Sequence, residues 1–169
     1  MGYLQNEEKN LRWRFQFVDK EIAAPMPGAG APPPGGGRLL ATTSFEFLDK
    51  NDKQYWPLYR QGVLWVAIDE GREFLRQVSS LIRSEIPEFS FRSSYAPEIG
   101  WQLSQAGEGR FVVQLGFDLS AMLSEVAGLR PPPGRDLALY RFTTTQPHLV
   151  AFGDQIRTEL AELLPAGGG

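Results

Sequence analysis

An α+β fold, with a twisted, mainly antiparallel sheet of about six to eight strands and two helices packed on one face, is what this 169-residue sequence predicts. Three observations carry that reading. Short runs alternate apolar with polar residues and are joined by turn-forming residues. Two segments, and no others, carry clear helical periodicity, near residues 69–86 and 145–164. Strand patterns cluster together in sequence order, so short connections favour antiparallel neighbours. Residues 1–169 fit one domain, and a chain of this length buries roughly 70% of its unfolded surface.

Leu11-Arg12-Trp13-Arg14-Phe15-Gln16-Phe17 alternates at period two, a half-buried strand with Leu11, Trp13, Phe15 and Phe17 inward. Ala23–Gly37 has one large apolar residue, Met26, among prolines and glycines. Such a stretch cannot offset its ordering entropy by burial, so a flexible loop is expected at 23–37. Thr43–Leu48 resumes strand patterning, residues 49–52 read as a turn, and Gln54–Tyr59 carries Pro57, as an edge strand tolerates. Val63–Ile68 is a continuous apolar run suited to a central strand.

Asp69 reads as an N-cap, with Glu70 and Glu73 favoured by the helix dipole, before a face of Phe74, Leu75, Val78, Leu81 and Ile82. Pro87 ends that helix, and Phe89 and Phe91 begin the next strand. Ile99–Leu103 and Phe111–Leu119 form a hairpin closed at Gly107-Glu108-Gly109. Residues 120–128 fit either a short helix or a covering loop, and Pro131–Gly134 is a break. A strand follows at Leu137–Phe142. Thr145 caps the last helix, with Pro147 in its first turn and a stripe of Leu149, Phe152, Ile156, Leu160 and Leu163. Residues 165–169 are expected to be a disordered tail. No internal repeat is evident in the sequence.

Composition narrows the function classes. There is no cysteine and one histidine, His148, so thiol chemistry, zinc–cysteine cages and two-histidine metal motifs are excluded. The net charge is −3 and Lys/Arg are not clustered, which argues against nucleic-acid binding. No run reaches the ~20 apolar residues of a membrane span, and no secretory leader is visible, so a cytoplasmic location is expected. Residues 61–169 carry 9 basic and 13 acidic side chains against 8 and 7 in residues 1–60, an ordinary solvated imbalance.

Candidate chemistry is thin. His148 lacks a nucleophile motif to serve, and Asp69, Glu70 and Glu73 are already explained by a helix start. Gly28–Gly37 lacks the lysine and hydroxyl of a phosphate loop. The proline runs 32–34 and 131–133 read as spacers, and the glycines at 167–169 as a tail. No catalytic residue, cofactor or metal ligand is therefore assigned. The aromatics say more: Tyr55, Trp56 and Tyr59 surround Pro57 on an edge strand, where one face meets solvent. Exposed Trp and Tyr on a sheet anchor protein interfaces, so these three are the expected partner-binding residues.

Val63–Glu85, a strand running through Asp69 into an amphipathic helix, and Leu137–Leu164, a strand turning at three threonines into a final helix, resemble small bacterial proteins of the wall-associated-toxin immunity type. The resemblance spans residues 39–164 as an order of elements and brings no site residues. It implies a compact α+β domain, encoded beside a toxin, that neutralises the toxin by occlusion. The insertion at 23–37 departs from that pattern. The expectation is a non-enzymatic protein-binding domain. The alternatives are an adaptor subunit, or a ligand-binding domain with a pocket lined by Trp65, Trp101 and Phe111. A homodimer through an open sheet edge is compatible with each.

Overall fold

Extended chain places alternate side chains on opposite faces, so each run noted above must find a cover for one face. The computed structural model describes residues 3–22, 37–51, 53–118 and 136–164, with backbone alone at 22, 57–63, 96–98, 117–118 and 136–139. The elements are β1 (Tyr3–Gln5), β2 (Leu11–Ile22), β3 (Gly37–Asp49), β4 (Gln54–Ala67), α1 (Ile68–Ile82), β5 (Glu88–Ser93), β6 (Ala96–Gln105), β7 (Arg110–Asp118), β8 (Asp136–Thr145) and α2 (Gln146–Leu163). The expected loop at 23–37, save Gly37, lies outside the described residues, as do the segments 120–128 and 131–134 and the tail 165–169.

The α+β class and the antiparallel pairing agree with the sequence reading. The eight strands among the described residues are shared between two four-stranded sheets, β1-β2-β3-β4 and β5-β6-β7-β8. Gln54–Tyr59 and Val63–Ile68, read separately from sequence, belong to the single strand β4. Its ladder to β3 slips between Phe45 and Glu46, opposite Pro57, which lacks an N–H to donate. At the start of α1 the N-cap is Ala67, not Asp69, because the acceptor comes from inside the helix. Glu70 takes the Ala67 N–H at 3.0 Å, while Asp69 stays exposed in the first turn. The Glu70 carboxylate also accepts the Ser94 N–H at 3.0 Å, tying the β4–α1 junction to the turn after β5.

The inner faces of the two sheets meet through rings. Trp13 of β2 stacks on Trp101 of β6 at 5.7 Å, and Phe45 of β3 stacks on Tyr140 of β8 at 4.5 Å. Both helices join this core: Phe74 of α1 lies 4.8 Å from Phe91, and Phe152 of α2 lies 5.4 Å from Trp13. The helices also pack on each other at Gly153, where a Cβ would stand 3.3 Å from Val78 Cγ1 and 3.4 Å from Ile82 Cδ1. A larger residue there would push them apart.

Four strands followed by a helix occur twice in this order. Buried positions recur at one spacing, with Leu64 and Phe142, Val66 and Thr144, Phe74 and Phe152, and Val78 and Ile156 each 78 residues apart. The repetition escaped the sequence reading because these pairs share burial more than identity.

α2 carries one carboxylate into its buried face. Glu159 accepts the Phe17 N–H at 3.0 Å, beside the irregularity where the β2–β3 ladder shifts between Phe17 and Asp19, and a second bond from Gln155 Nε2 at 2.9 Å. Burial pushes its pKa above the ordinary carboxylate range, against the lowering by those two donors. The folded state therefore binds this proton more tightly than the unfolded chain. The resulting stability is complete below the unfolded carboxylate range and is lost as pH rises through the folded value. Denaturant titrations between about pH 4 and 7 should show this component in the wild type and not in Glu159→Gln. Glu159→Leu should cost about 1–3 kcal/mol by leaving the Phe17 N–H unpaired. Equal pH profiles for wild type and Glu159→Gln would show that Glu159 is not the titrating group.

Candidate functional site

The far end of β3 and β4 extends beyond the ring core and presents large apolar side chains to solvent. Leu11, Phe47 and Trp56 stand opposite one another across β2, β3 and β4. Leu11 is half-buried against the core, Phe47 is 36% exposed and Trp56 is 48% exposed. Alternation explains the row: Phe47 continues the inward series Ala41, Thr43 and Phe45 past the point where the second sheet covers it.

Tyr55, adjacent to Trp56 in β4, points the other way and has a different task. The Arg12 guanidinium lies 3.5 Å from its ring centroid. Its hydroxyl donates to the Lys9 carbonyl at 2.6 Å and accepts from Gln5 Nε2 at 2.5 Å. Arg12 and Arg14 both pair with Glu46, the latter at 3.2 Å. Tyr55 is thus half-buried and fastens the β1–β2 turn to β4. Asn6 tightens that turn, its Oδ1 accepting the Asn10 and Leu11 N–H groups at 3.0 and 2.9 Å. Tyr59 stands opposite Phe45 in the ladder, and its side chain lies outside the described residues. Of the three expected partner-binding residues, the structure thus exposes Trp56 and engages Tyr55 in the frame beneath it.

The other singled-out residues are dispersed. His148 Nδ1 lies 3.3 Å from Thr145 Oγ1 in the first turn of α2. Asp69 pairs with Arg72 at 3.4 Å. Glu73 is held below the ordinary carboxylate range, first by the hydrogen bond from Arg76. Among the described residues, no three His, Asp or Glu side chains group to hold a metal ion.

The surface grooves among the described residues include three. One of about 90 Å³ crosses the outer face of β5, β6 and β7 over Gly100 and Gly116. One of about 250 Å³ lies between the end of α1 and the Gly107–Gly109 turn. One of about 390 Å³ lies between the β1–β2 turn and the β7–β8 pair, with Leu11 and Phe142 in its lining. None is lined by His148 or Asp69. Trp101 and Phe111, expected to share a pocket with Trp65, border different grooves, and Trp65 instead lies 3.8 Å beneath the Arg38 guanidinium. The sequence reading missed the 390 Å³ groove because its walls come from segments far apart in the chain.

Comparison with protein-family models, curated proteins and solved structures finds no match to this chain. Among the described residues, no helix is long and apolar enough to cross a membrane.

Proposed function

We propose that this protein is a non-enzymatic protein-binding domain acting in the cytoplasm, and that its partner is a toxin it neutralises by occlusion. The observation that carries the binding reading is Trp56, 48% exposed and opposed by Phe47 on an end of the sheet stiffened from behind by Tyr55, Arg12 and Glu46. A large, rigid aromatic on a pre-ordered frame loses little entropy on docking, which is how interface anchors concentrate binding energy. The toxin as partner rests on the resemblance of Val63–Glu85 and Leu137–Leu164 to the immunity type.

Trp56→Ala should leave folding nearly intact and weaken the complex by about 2 kcal/mol or more, roughly thirtyfold. Tagged wild type and Trp56→Ala, purified in parallel from the cells that make the protein and compared by quantitative mass spectrometry, read this directly. A stoichiometric partner retained by the wild type and depleted from the variant supports the binding reading. A partner retained equally by both removes Trp56 from the interface. If the partner is encoded beside this gene and arrests growth when expressed alone, co-expression of this chain should restore growth; failure to do so removes the immunity reading.

A further inference from the structure

Every arginine with a described side chain is engaged, with one exception. Arg12, Arg14, Arg38, Arg72, Arg76, Arg83, Arg110 and Arg157 are in ion pairs, and Arg92 also has a partner. Among the described residues, Arg141 alone has none; it is exposed and lines the 390 Å³ groove together with Thr143, Phe142 and Leu11. Of the carboxylates on the opposite wall, Glu7 pairs with Arg110 at 3.0 Å, while Glu8 accepts only from the neutral Asn10 Nδ2 at 2.9 Å and keeps its charge. The groove is also continuous with the aromatic row, since Leu11 lines the one and opposes Phe47 in the other.

The surrounding charge points the same way. Three of the chain's four lysines, Lys9, Lys50 and Lys53, sit in the two turns that flank the row, exposed and without an ion pair among the described residues. Asp49, beside them, accepts the Asn51 N–H at 2.8 Å. Among the described residues, this end of a protein of net charge −3 therefore carries four cations without an ion pair, Arg141, Lys9, Lys50 and Lys53, against two such anions, Glu8 and Asp49. An unpaired guanidinium at a concave wall beside a hydroxyl suits a carboxylate, and the adjoining Phe47 and Trp56 suit a large apolar side chain.

We propose that the Arg141 groove and the Leu11–Phe47–Trp56 row form one docking surface for a protein segment that presents an Asp or Glu side chain beside a large apolar one. This deepens the binding reading above and rests on it.

The test uses a phage-displayed library of random dodecapeptides panned on the full chain, with the best peptide resynthesised alongside its carboxylate-to-amide version. Selected peptides should carry Asp or Glu next to a large apolar residue. The amide version should bind at least tenfold more weakly, and Arg141→Glu should abolish binding while Arg141→Lys retains part of it. Arg141 is exposed, so its substitution leaves the fold intact, which a thermal melt verifies. Binding lost in Trp56→Ala yet indifferent to Arg141→Glu and to the amide change overturns the acidic-partner inference and leaves the protein-binding reading standing. Indifference to both substitutions, or no peptide retained above the level seen on a Trp56→Ala/Arg141→Glu double variant, overturns both. Sedimentation of the wild type alone supplies the last arm: a dimer dispersed by Trp56→Ala assigns the surface to a second copy and overturns the acidic segment.

Discussion

Replacing Trp13 by alanine is expected to cost about 3–5 kcal/mol of folding stability, near the top of the range for single core truncations. Trp13 is fully buried and touches every layer of the molecule. Its indole stacks on Trp101 across the sheets, meets Phe15 at 5.8 Å along β2, and faces Phe152 of α2 at 5.4 Å. Its Nε1–H donates to Thr43 Oγ1 at 2.9 Å, so truncation removes a buried hydrogen bond as well as the ring. The void would be walled by rigid rings that relax little. Because domains of this size are stable by about 5–15 kcal/mol, the variant should unfold at a much lower urea concentration. Trp13→Phe should cost less, since it keeps the stacking and loses the N–H bond. A midpoint shift equivalent to under about 1 kcal/mol for Trp13→Ala would remove Trp13 from the centre of the core.

Phe74→Ala and Phe152→Ala should each cost about 3–5 kcal/mol, and the double variant less than the sum. These two rings occupy matching positions in the two four-strand-and-helix units and meet each other at 6.3 Å and 84°. They also share neighbours: Phe74 contacts Phe15, and Phe152 contacts Trp13, adjacent inward positions of β2. Once one ring is gone, the other has already lost part of its packing. A double-mutant cycle by equilibrium denaturation reads the coupling. Strict additivity would show that the two helices are stabilised independently.

Much of this architecture was legible because alternation is a local property. Trp13, Phe15 and Phe17 face inward as their spacing requires, and Leu149, Phe152, Ile156 and Leu160 form the buried stripe of α2. The Gly107–Gly109 turn is where the hairpin pattern put it, its glycines at φ of 114° and 66°. The division into two sheets was not legible, since what covers an inner face is decided far away in sequence: Trp13 is met by Trp101. A three-residue strand such as β1 gives too short a pattern to read. Trp56 followed from an aromatic beside Pro57 on an edge, but Tyr55 needed knowledge of Arg12 on the neighbouring strand. Arg141 had a visible signal, an arginine at a polar position of an alternating run. Its lack of a counter-ion among the described residues depends on where Glu7 and Glu8 turn.

The bond from Phe17 to Glu159 joins residues 142 positions apart. On a ribosome adding about 5–20 residues per second, β2 emerges on the order of ten seconds before its cover on α2 is made. Throughout that interval Trp13, Phe15 and Phe17 lie on a strand whose partners exist only in part. Over that interval the nascent chain is open to aggregation, and slower decoding across β8 and α2 would lengthen the exposure.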